Sequence, residues 1–152
     1  MSAAPCELLI ATFLVCLGSA VIPFLNTEIY LLGVSALAGP RALLAVVIAA
    51  AAGQMVGKAV LYFAGTGVLR LPARFARKVP ALATRVASYP GGALGVVLLS
   101  SFSGVPPFYG ISLIAGGLGL SFVPFLLTGF VGRVLRFAVV VALPQLAMGG
   151  AW

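Results

Sequence analysis

Residues 91–132 contain no charged side chain. Only 7% of the 152 residues are charged, whereas about a quarter of the residues of a soluble domain are. A bilayer core about 30 Å thick takes about 20 helical residues, so this run is long enough for two short spans or for a re-entrant hairpin. The sequence therefore predicts an integral membrane protein.

Apolar runs interrupted by Pro- and Gly-containing breaks predict an all-α membrane protein with four to five hydrophobic helical segments. In the first half of the chain the runs cover 8–25, 29–39 and 42–69. We expect a single integral membrane domain over 1–152, with a first half at 8–69, a basic loop at 70–90 and a second half at 91–148. The last segment is expected to run from an N-cap at Ser121 to a kink at Pro144.

Proline breaks occur in both halves, at Pro23 and at Gly104-Val105-Pro106-Pro107. Two successive prolines remove two amide donors and keep the preceding residue out of helical geometry. Such backbone must be buried in protein or line a wet cavity. Paired broken segments predict two re-entrant helices in an inverted-repeat-like arrangement. The alternative for the second break is a plain extracytoplasmic turn between two ordinary spans.

Five basic side chains are concentrated between the two halves, in a chain with a net charge of +7. They do not spread along the chain as a nucleic-acid footprint would, so we expect no nucleic-acid partner. An excess of Lys and Arg assigns a loop to the cytoplasmic side, where it contacts anionic lipid headgroups. These residues are Arg70, Arg74, Arg77, Lys78 and Arg85.

Several chemistries are excluded because the chain has no His and no Asp. A histidine general base, a His-containing zinc site and a Ser/His/Asp triad are impossible without them. We therefore expect neither an enzyme nor a metal or cofactor site. A removed signal peptide over 1–20 is an alternative for the N-terminus, but that segment holds Glu7 and lacks the positive start that such peptides need.

Four charged residues lie within membrane segments, namely Glu28, Lys58, Arg133 and Arg136. A charge at this depth normally faces a partner or a water-filled cavity and indicates function. We expect Glu28 to pair with Lys58 or Arg133, leaving positive charge for an anionic ligand such as a phosphate headgroup. Alternatively, the basic side chains snorkel to an interface and Glu28 lies at headgroup level at a helix start.

Helical spacing places these charges on two faces. Gln54, Lys58 and Tyr62 are four residues apart and share a polar face, beside a flat strip formed by Gly53 and Gly57 on which another helix can pack. Small and basic residues of the last segment share a second face. They are Gly129, Gly132, Arg133 and Arg136.

Three motifs carry a family resemblance: AGQMVGKAVLYFAG at 52–65, GVPPFYGISLIAGGLG at 104–119 and FLLTGFVGRVLRF at 125–137. They resemble the DedA superfamily, also called SNARE-associated or VTT-domain proteins, and most closely its small bacterial YqaA-like branch. The resemblance covers roughly 23–137. It implies a plasma-membrane (bacterial inner-membrane) protein with two re-entrant helices meeting near the midplane and a family role in lipid transport.

Residue by residue, the family's acidic position after the first break matches Glu28, and Gln54 stands where a second acidic residue is often found. The arginine pair that many members carry around the second break is absent, since the sequence there reads SFSG and PF. This departure argues against coupled transport of undecaprenyl phosphate.

Together these features predict a transporter or scramblase of an anionic lipid or small anion at the two breaks. Glu28 would be the proton-linked or charge-balancing group, Arg133 the anion contact and Lys58 a switchable partner. Membrane lipids are the expected partners, together with a second copy of the chain as a homo-oligomer. The alternative is a non-transporting membrane scaffold that uses the glycine faces and the basic loop.

Overall fold

The computed structural model describes residues 3–22, 26–67, 77, 79–88, 92–105, 107–147 and 149, and these residues form α-helices and no β-strand. The all-helical prediction is confirmed. In chain order the helices are α1 (Ala3–Val21), α2 (Thr27–Leu37), α3 (Pro40–Gly65), α4 (Val79–Ala87), α5 (Gly92–Ser103), α6 (Phe108–Gly117) and α7 (Phe122–Ala147).

Helix length separates α3 and α7 from the others. Each has 26 residues, about 39 Å at 1.5 Å per residue, and both are long and apolar enough to cross a membrane. The apolar helices α2, α5 and α6 have 10 to 12 residues and, at about 15–18 Å, do not cross a bilayer core alone. The number of crossings and the re-entrant arrangement stay predictions.

Exposed apolar side chains recur along the whole of α7. Every fourth residue is 44–61% exposed: Val123, Leu127, Val131, Leu135, Val139 and Leu143. Monomeric soluble proteins rarely expose a continuous apolar surface larger than a few hundred Å². The surface of α7 therefore favours a lipid or protein surrounding over water.

The chain forms two compact units that do not follow its linear halves. Unit 1 consists of Met1–Gly57 with Arg133–Trp152, and unit 2 is Lys58–Gly132. Each of the two long helices, α3 and α7, therefore contributes one part to each unit. The single membrane domain with halves at 8–69 and 91–148 stays a prediction.

In unit 1, α2 folds back along α1. Asn26 caps α2 through its side-chain oxygen, which accepts from the Glu28 amide at 3.0 Å and satisfies a donor that the first helical turn leaves open. The Thr12 and Tyr30 hydroxyls lie 3.1 Å apart farther along the two helices. Pro23, the predicted break, lies outside the described residues.

In unit 2, α4 packs on both α5 and α6, and α5 packs on α6. Gly104 ends α5 with a φ of +78°, a conformation that glycine adopts without a Cβ penalty. The α6 helix ends in a Schellman turn, with Gly119 at a φ of +68° and the Leu120 amide donating to the Ala115 carbonyl at 3.0 Å. Pro107 immediately precedes α6, and Pro106 is outside the described part of the chain.

The α7 helix begins directly after Ser121, as expected, and the Phe125 amide donates to the Ser121 carbonyl at 3.2 Å. It continues through Pro144 to Ala147, and the kink expected at Pro144 stays a prediction. Of the predicted lipid-surface residues, Arg77 and Arg85 are exposed. Arg70, Arg74 and Lys78 fall outside the residues that the structure describes.

Candidate functional site

An ion pair within unit 1 joins two residues that are far apart in the sequence. Arg136 on α7 donates through Nε to Glu28 Oε1 at 2.9 Å, and its Nη2 contacts the same oxygen. The Arg136 side chain is 24% exposed and that of Glu28 is 38% exposed. The sequence analysis had favoured Lys58 or Arg133 as the partner of Glu28, because helix faces can be read from spacing but neighbouring helices cannot.

Arg133 lies about one turn before Arg136 on α7 and is the third charged residue of this group. It is 9% exposed, and the charges of both Arg136 and Glu28 act on it. We call Glu28, Arg133 and Arg136 the charge cluster. Its two guanidinium groups and one carboxylate carry a net charge of +1, and the only other carboxylate side chain of the protein, Glu7, is exposed on α1.

The charge cluster can therefore bind an anion. Guanidinium groups suit oxyanions in particular, because their planar forks match the oxygens of a phosphate or carboxylate.

A buried amide–hydroxyl network lies beside Glu28 in the chain and connects α1, α2 and α3. Gln54 Nε2 donates to Thr27 Oγ1 at 2.8 Å and to Ser19 Oγ at 3.1 Å, and the two hydroxyl oxygens are 2.5 Å apart. Ser19 donates its own proton to the Cys16 carbonyl at 2.8 Å. Each hydroxyl has one proton, so Thr27 supplies the hydrogen between the two hydroxyls.

This proton count explains why the amide group of Gln54 turns its NH₂ toward the hydroxyls. Its Oε1 is then a buried acceptor that has no hydrogen-bond donor within the described part of the chain. Ser19 and Thr27 were missed in the sequence analysis. The sequence feature that could have indicated them is a hydroxyl side chain on each side of the break at Pro23, next to otherwise apolar positions.

Lys58 and Tyr62 belong to unit 2 and have aromatic surroundings. Lys58 is 6% exposed, and its Nζ lies 5.9 Å from the centre of the Phe108 ring, within the range of a cation–π interaction. Tyr62 stacks on Phe125 with ring centres 5.0 Å apart, and its hydroxyl donates to the Leu120 carbonyl. Tyr62 therefore has a packing role at the turn between α6 and α7.

Three of the four predicted packing glycines lie at close helix contacts. A Cβ atom on Gly53 would overlap the Phe13 carbonyl oxygen, and one on Gly57 would overlap the Ala20 side chain, both on α1. A Cβ on Gly132 would overlap the side chain of Ser101 on α5. Gly129 is buried on α7.

Two further glycines were missed as packing positions. A Cβ on Gly65 would overlap the Leu113 carbonyl oxygen, and a Cβ on Gly116 would overlap the Tyr62 carbonyl oxygen. The end of α3 and the α6 helix therefore approach each other backbone to backbone. The GG pair at 116–117 was visible in the sequence, but the sequence did not show that it packs against the end of α3.

Neither a metal site nor a similarity to known proteins indicates what this site does. Among the described residues, no group of three or more His, Cys, Asp or Glu side chains is placed to hold a metal ion. No protein-family model matches the chain, and no curated protein or solved structure is significantly similar to it. The argument for function therefore starts from the charge cluster.

Proposed function

We propose that this protein is an integral membrane protein that moves an anionic lipid or a small anion across the bilayer, as a transporter or scramblase of the DedA type. The observation that carries the proposal is the net positive charge cluster with Arg133 at its buried end. In the same proposal the 70–90 loop faces the cytoplasm, two of the short helical segments are re-entrant in the plasma membrane, and a second copy completes the path.

The charges of the cluster divide into two roles. Glu28 and Arg136 form the ion pair, which balances charge and orients the Arg136 guanidinium. Arg133 contacts the anion through its guanidinium group. Because Arg133 is the most deeply buried of the three, a ligand that reaches it has left bulk water, which is the requirement for transport.

The surface of the long helices supports a membrane location. Exposed apolar side chains recur along α3 as well as α7, and they are 44–66% exposed at Leu44, Ile48, Val56 and Val60. Burying such side chains in an apolar surrounding stabilises the protein by about 25 cal/mol per Å². A bilayer core about 30 Å thick provides this surrounding for about 20 residues of each 26-residue helix.

The experiment is lipid exchange between leaflets in liposomes that hold the purified protein and a labelled anionic lipid. Glu28→Gln and Arg133→Ala test the charge cluster. Glu7→Gln and Arg41→Gln are matched controls, because they remove the same types of charge from exposed positions. We expect each cluster variant to slow exchange about tenfold or more, as for the loss of one charged hydrogen bond, and each control to exchange at the wild-type rate.

Wild-type exchange in both cluster variants, with unchanged helical content, would remove the charge cluster from the mechanism. The same experiment addresses the scaffold alternative. Under that alternative, neutralising the five basic residues between positions 70 and 85 abolishes docking to anionic lipid, while the cluster variants have no effect. The structure gives the scaffold little support, because Gly53, Gly57 and Gly132 already pack against helices of the same chain.

A further inference from the structure

We infer that Gln54 is a positioning residue, whose hydrogen bond to Thr27 holds the first turn of α2 where Glu28 reaches Arg136. All four residues belong to unit 1. The ion pair of the charge cluster therefore depends on a neutral hydrogen-bond network on α1 and α3. The inference rests on the proposed function only in taking Glu28 as a residue of the transport site.

Thr27 and Glu28 are the first two residues of α2, and they contact different helices. Thr27 is 6% exposed and lies on the buried face of α2 together with Leu31 and Val34. Glu28 comes next in the helix, where successive residues are turned by about 100°, so its side chain leaves α2 on another face. Whatever fixes Thr27 in place therefore also fixes the direction of Glu28.

Hydrogen bonds set the position of this turn more sharply than apolar packing does. Burial of Leu31 and Val34 stabilises the contact of α2 with its neighbours, but the hydrophobic effect is non-directional. Hydrogen bonds weaken steeply when their geometry changes, and of the three buried side chains of α2 only that of Thr27 can form them. It accepts from Gln54 Nε2 at 2.8 Å and shares a hydrogen with Ser19 Oγ at 2.5 Å.

Gln54 supplies the donor that this network needs. The proton of Ser19 goes to the Cys16 carbonyl and that of Thr27 goes to Ser19, so the side chain at position 54 must donate to both hydroxyl oxygens. Its NH₂ group does so at 2.8 and 3.1 Å. Gln54 is 7% exposed, and the bond that ties α3 to the start of α2 is therefore shielded from competing water.

The ion pair by itself contributes too little to hold the turn. Glu28 is 38% exposed and Arg136 is 24% exposed, and ion pairs with this much access to solvent add little stability. Fixing the backbone of one residue costs more free energy than such a pair contributes. Asn26 orders the helix start by accepting from the Glu28 amide, but this bond stays within the α2 turn. The hydrogen bonds of Thr27 therefore position the turn, and the ion pair forms as a result.

The test is a double-mutant cycle of Glu28→Gln and Arg136→Gln, measured as unfolding equilibrium constants of the full chain in mixed micelles with dodecyl sulfate. In the wild type we expect a coupling of about fivefold, the upper end of the range for a partly exposed pair. The cycle is repeated in Thr27→Val, which keeps the shape but loses the hydroxyl, and in Gln54→Met, which keeps the length but loses the donor. In both backgrounds the coupling should fall to about twofold or less, the scatter of additive substitutions.

Two further variants of the same network are matched controls. Ser19→Ala deletes a hydroxyl of similar burial but leaves the hydrogen bond between Gln54 and Thr27, so it should keep the wild-type coupling even where it lowers stability. Thr27→Ser keeps the hydroxyl and should keep the coupling that Thr27→Val loses. A role in stability alone would change the coupling in Ser19→Ala and Thr27→Val to the same extent.

Coupling that is lost in Thr27→Val and Gln54→Met but kept in both controls supports the inference. Wild-type coupling in Thr27→Val or in Gln54→Met overturns it. A loss in Ser19→Ala equal to that in Thr27→Val, or the absence of coupling in the wild type, overturns it as well. If one of the two test variants does not fold, the other decides against the same controls.

Failure of the inference and failure of the proposed function give different results. In liposomes we expect Thr27→Val to slow exchange as much as Glu28→Gln does, and Ser35→Ala, at a hydroxyl that donates to the Leu32 carbonyl within α2, to exchange at the wild-type rate. Loss of coupling in the test variants without any wild-type exchange rejects transport and leaves the positioning role standing. Exchange that is slowed by Glu28→Gln, with unchanged coupling in Thr27→Val, rejects the positioning role and leaves transport standing.

Discussion

Replacing Gly116 by Ala tests the close backbone approach between α6 and the end of α3. The new Cβ atom would overlap the Tyr62 carbonyl oxygen and lie 2.9 Å from the Tyr62 carbonyl carbon and 3.0 Å from the Thr66 amide nitrogen. All three atoms are backbone, so no side-chain rotation can relieve the overlap. The two helices must separate, and the contact between Gly65 and Leu113 on the same interface would open with them.

The magnitude follows from comparison with Gly110 on the same helix, where an added Cβ meets nothing within 4 Å. Both substitutions gain helix propensity, up to about 1 kcal/mol, but only Gly116→Ala overpacks an interface, which costs about 1–3 kcal/mol. We therefore expect the free energy of unfolding of Gly116→Ala to lie about 1–3 kcal/mol below that of Gly110→Ala.

The measurement is unfolding in mixed micelles with increasing dodecyl sulfate, followed by circular dichroism, on wild type and both variants. Equal unfolding free energies within about 0.5 kcal/mol, the usual scatter of neutral substitutions, would refute the close approach. A Gly116→Ala variant more stable than Gly110→Ala would refute it as well.

The same unfolding assay tests two other contacts. Gln54→Leu removes both hydrogen bonds donated to the buried hydroxyls and should lower the free energy of unfolding by about 1–3 kcal/mol. Its control is Ser35→Ala, at a hydroxyl that donates within its own helix, which should change that free energy by no more than about 0.5 kcal/mol. Equal losses in the two variants would contradict the network. Tyr62→Phe keeps the stacked ring but loses the hydrogen bond to the α6–α7 turn, so we expect a loss of about 1 kcal/mol. Tyr109→Phe, 45% exposed, is its control, and a neutral Tyr62→Phe would show that this hydrogen bond does not stabilise the fold.

Most helical elements could be predicted from the sequence because their determinants are local, but α4, Val79–Ala87, lies within the stretch expected to be a loop. The apolar run at 29–39 became α2, Thr27–Leu37, and the charge-free run at 91–132 split at Gly104 as the proline break required. The kink expected at Pro144 stays a prediction, since α7 includes this proline. A proline late in a helix costs one hydrogen bond and a clash with the preceding turn, and this cost did not end α7 there.

The candidate site could be predicted only in part. The four charged residues within apolar segments were identified from the sequence because a charge in an apolar run is conspicuous without any structure. Their pairing was not, since Glu28 contacts Arg136 across 108 positions, and helical periodicity orders residues within a helix but does not say which helices are neighbours. The same limit hid Ser19 and Thr27, whose importance comes from Gln54 on another helix.

By itself, the sequence determined that this chain is helical, apolar and short of carboxylates, because composition and periodicity act on each segment independently of the rest. It also determined that any group formed by Glu28 with more than one basic residue has surplus positive charge, since no other acid is available at depth. Only the tertiary structure decided that Arg136 holds Glu28, that Arg133 lies at the buried end, and that Gly65 and Gly116 face backbone while Gly110 faces open space. These features depend on which helix surfaces meet, and packing between distant segments sets that choice.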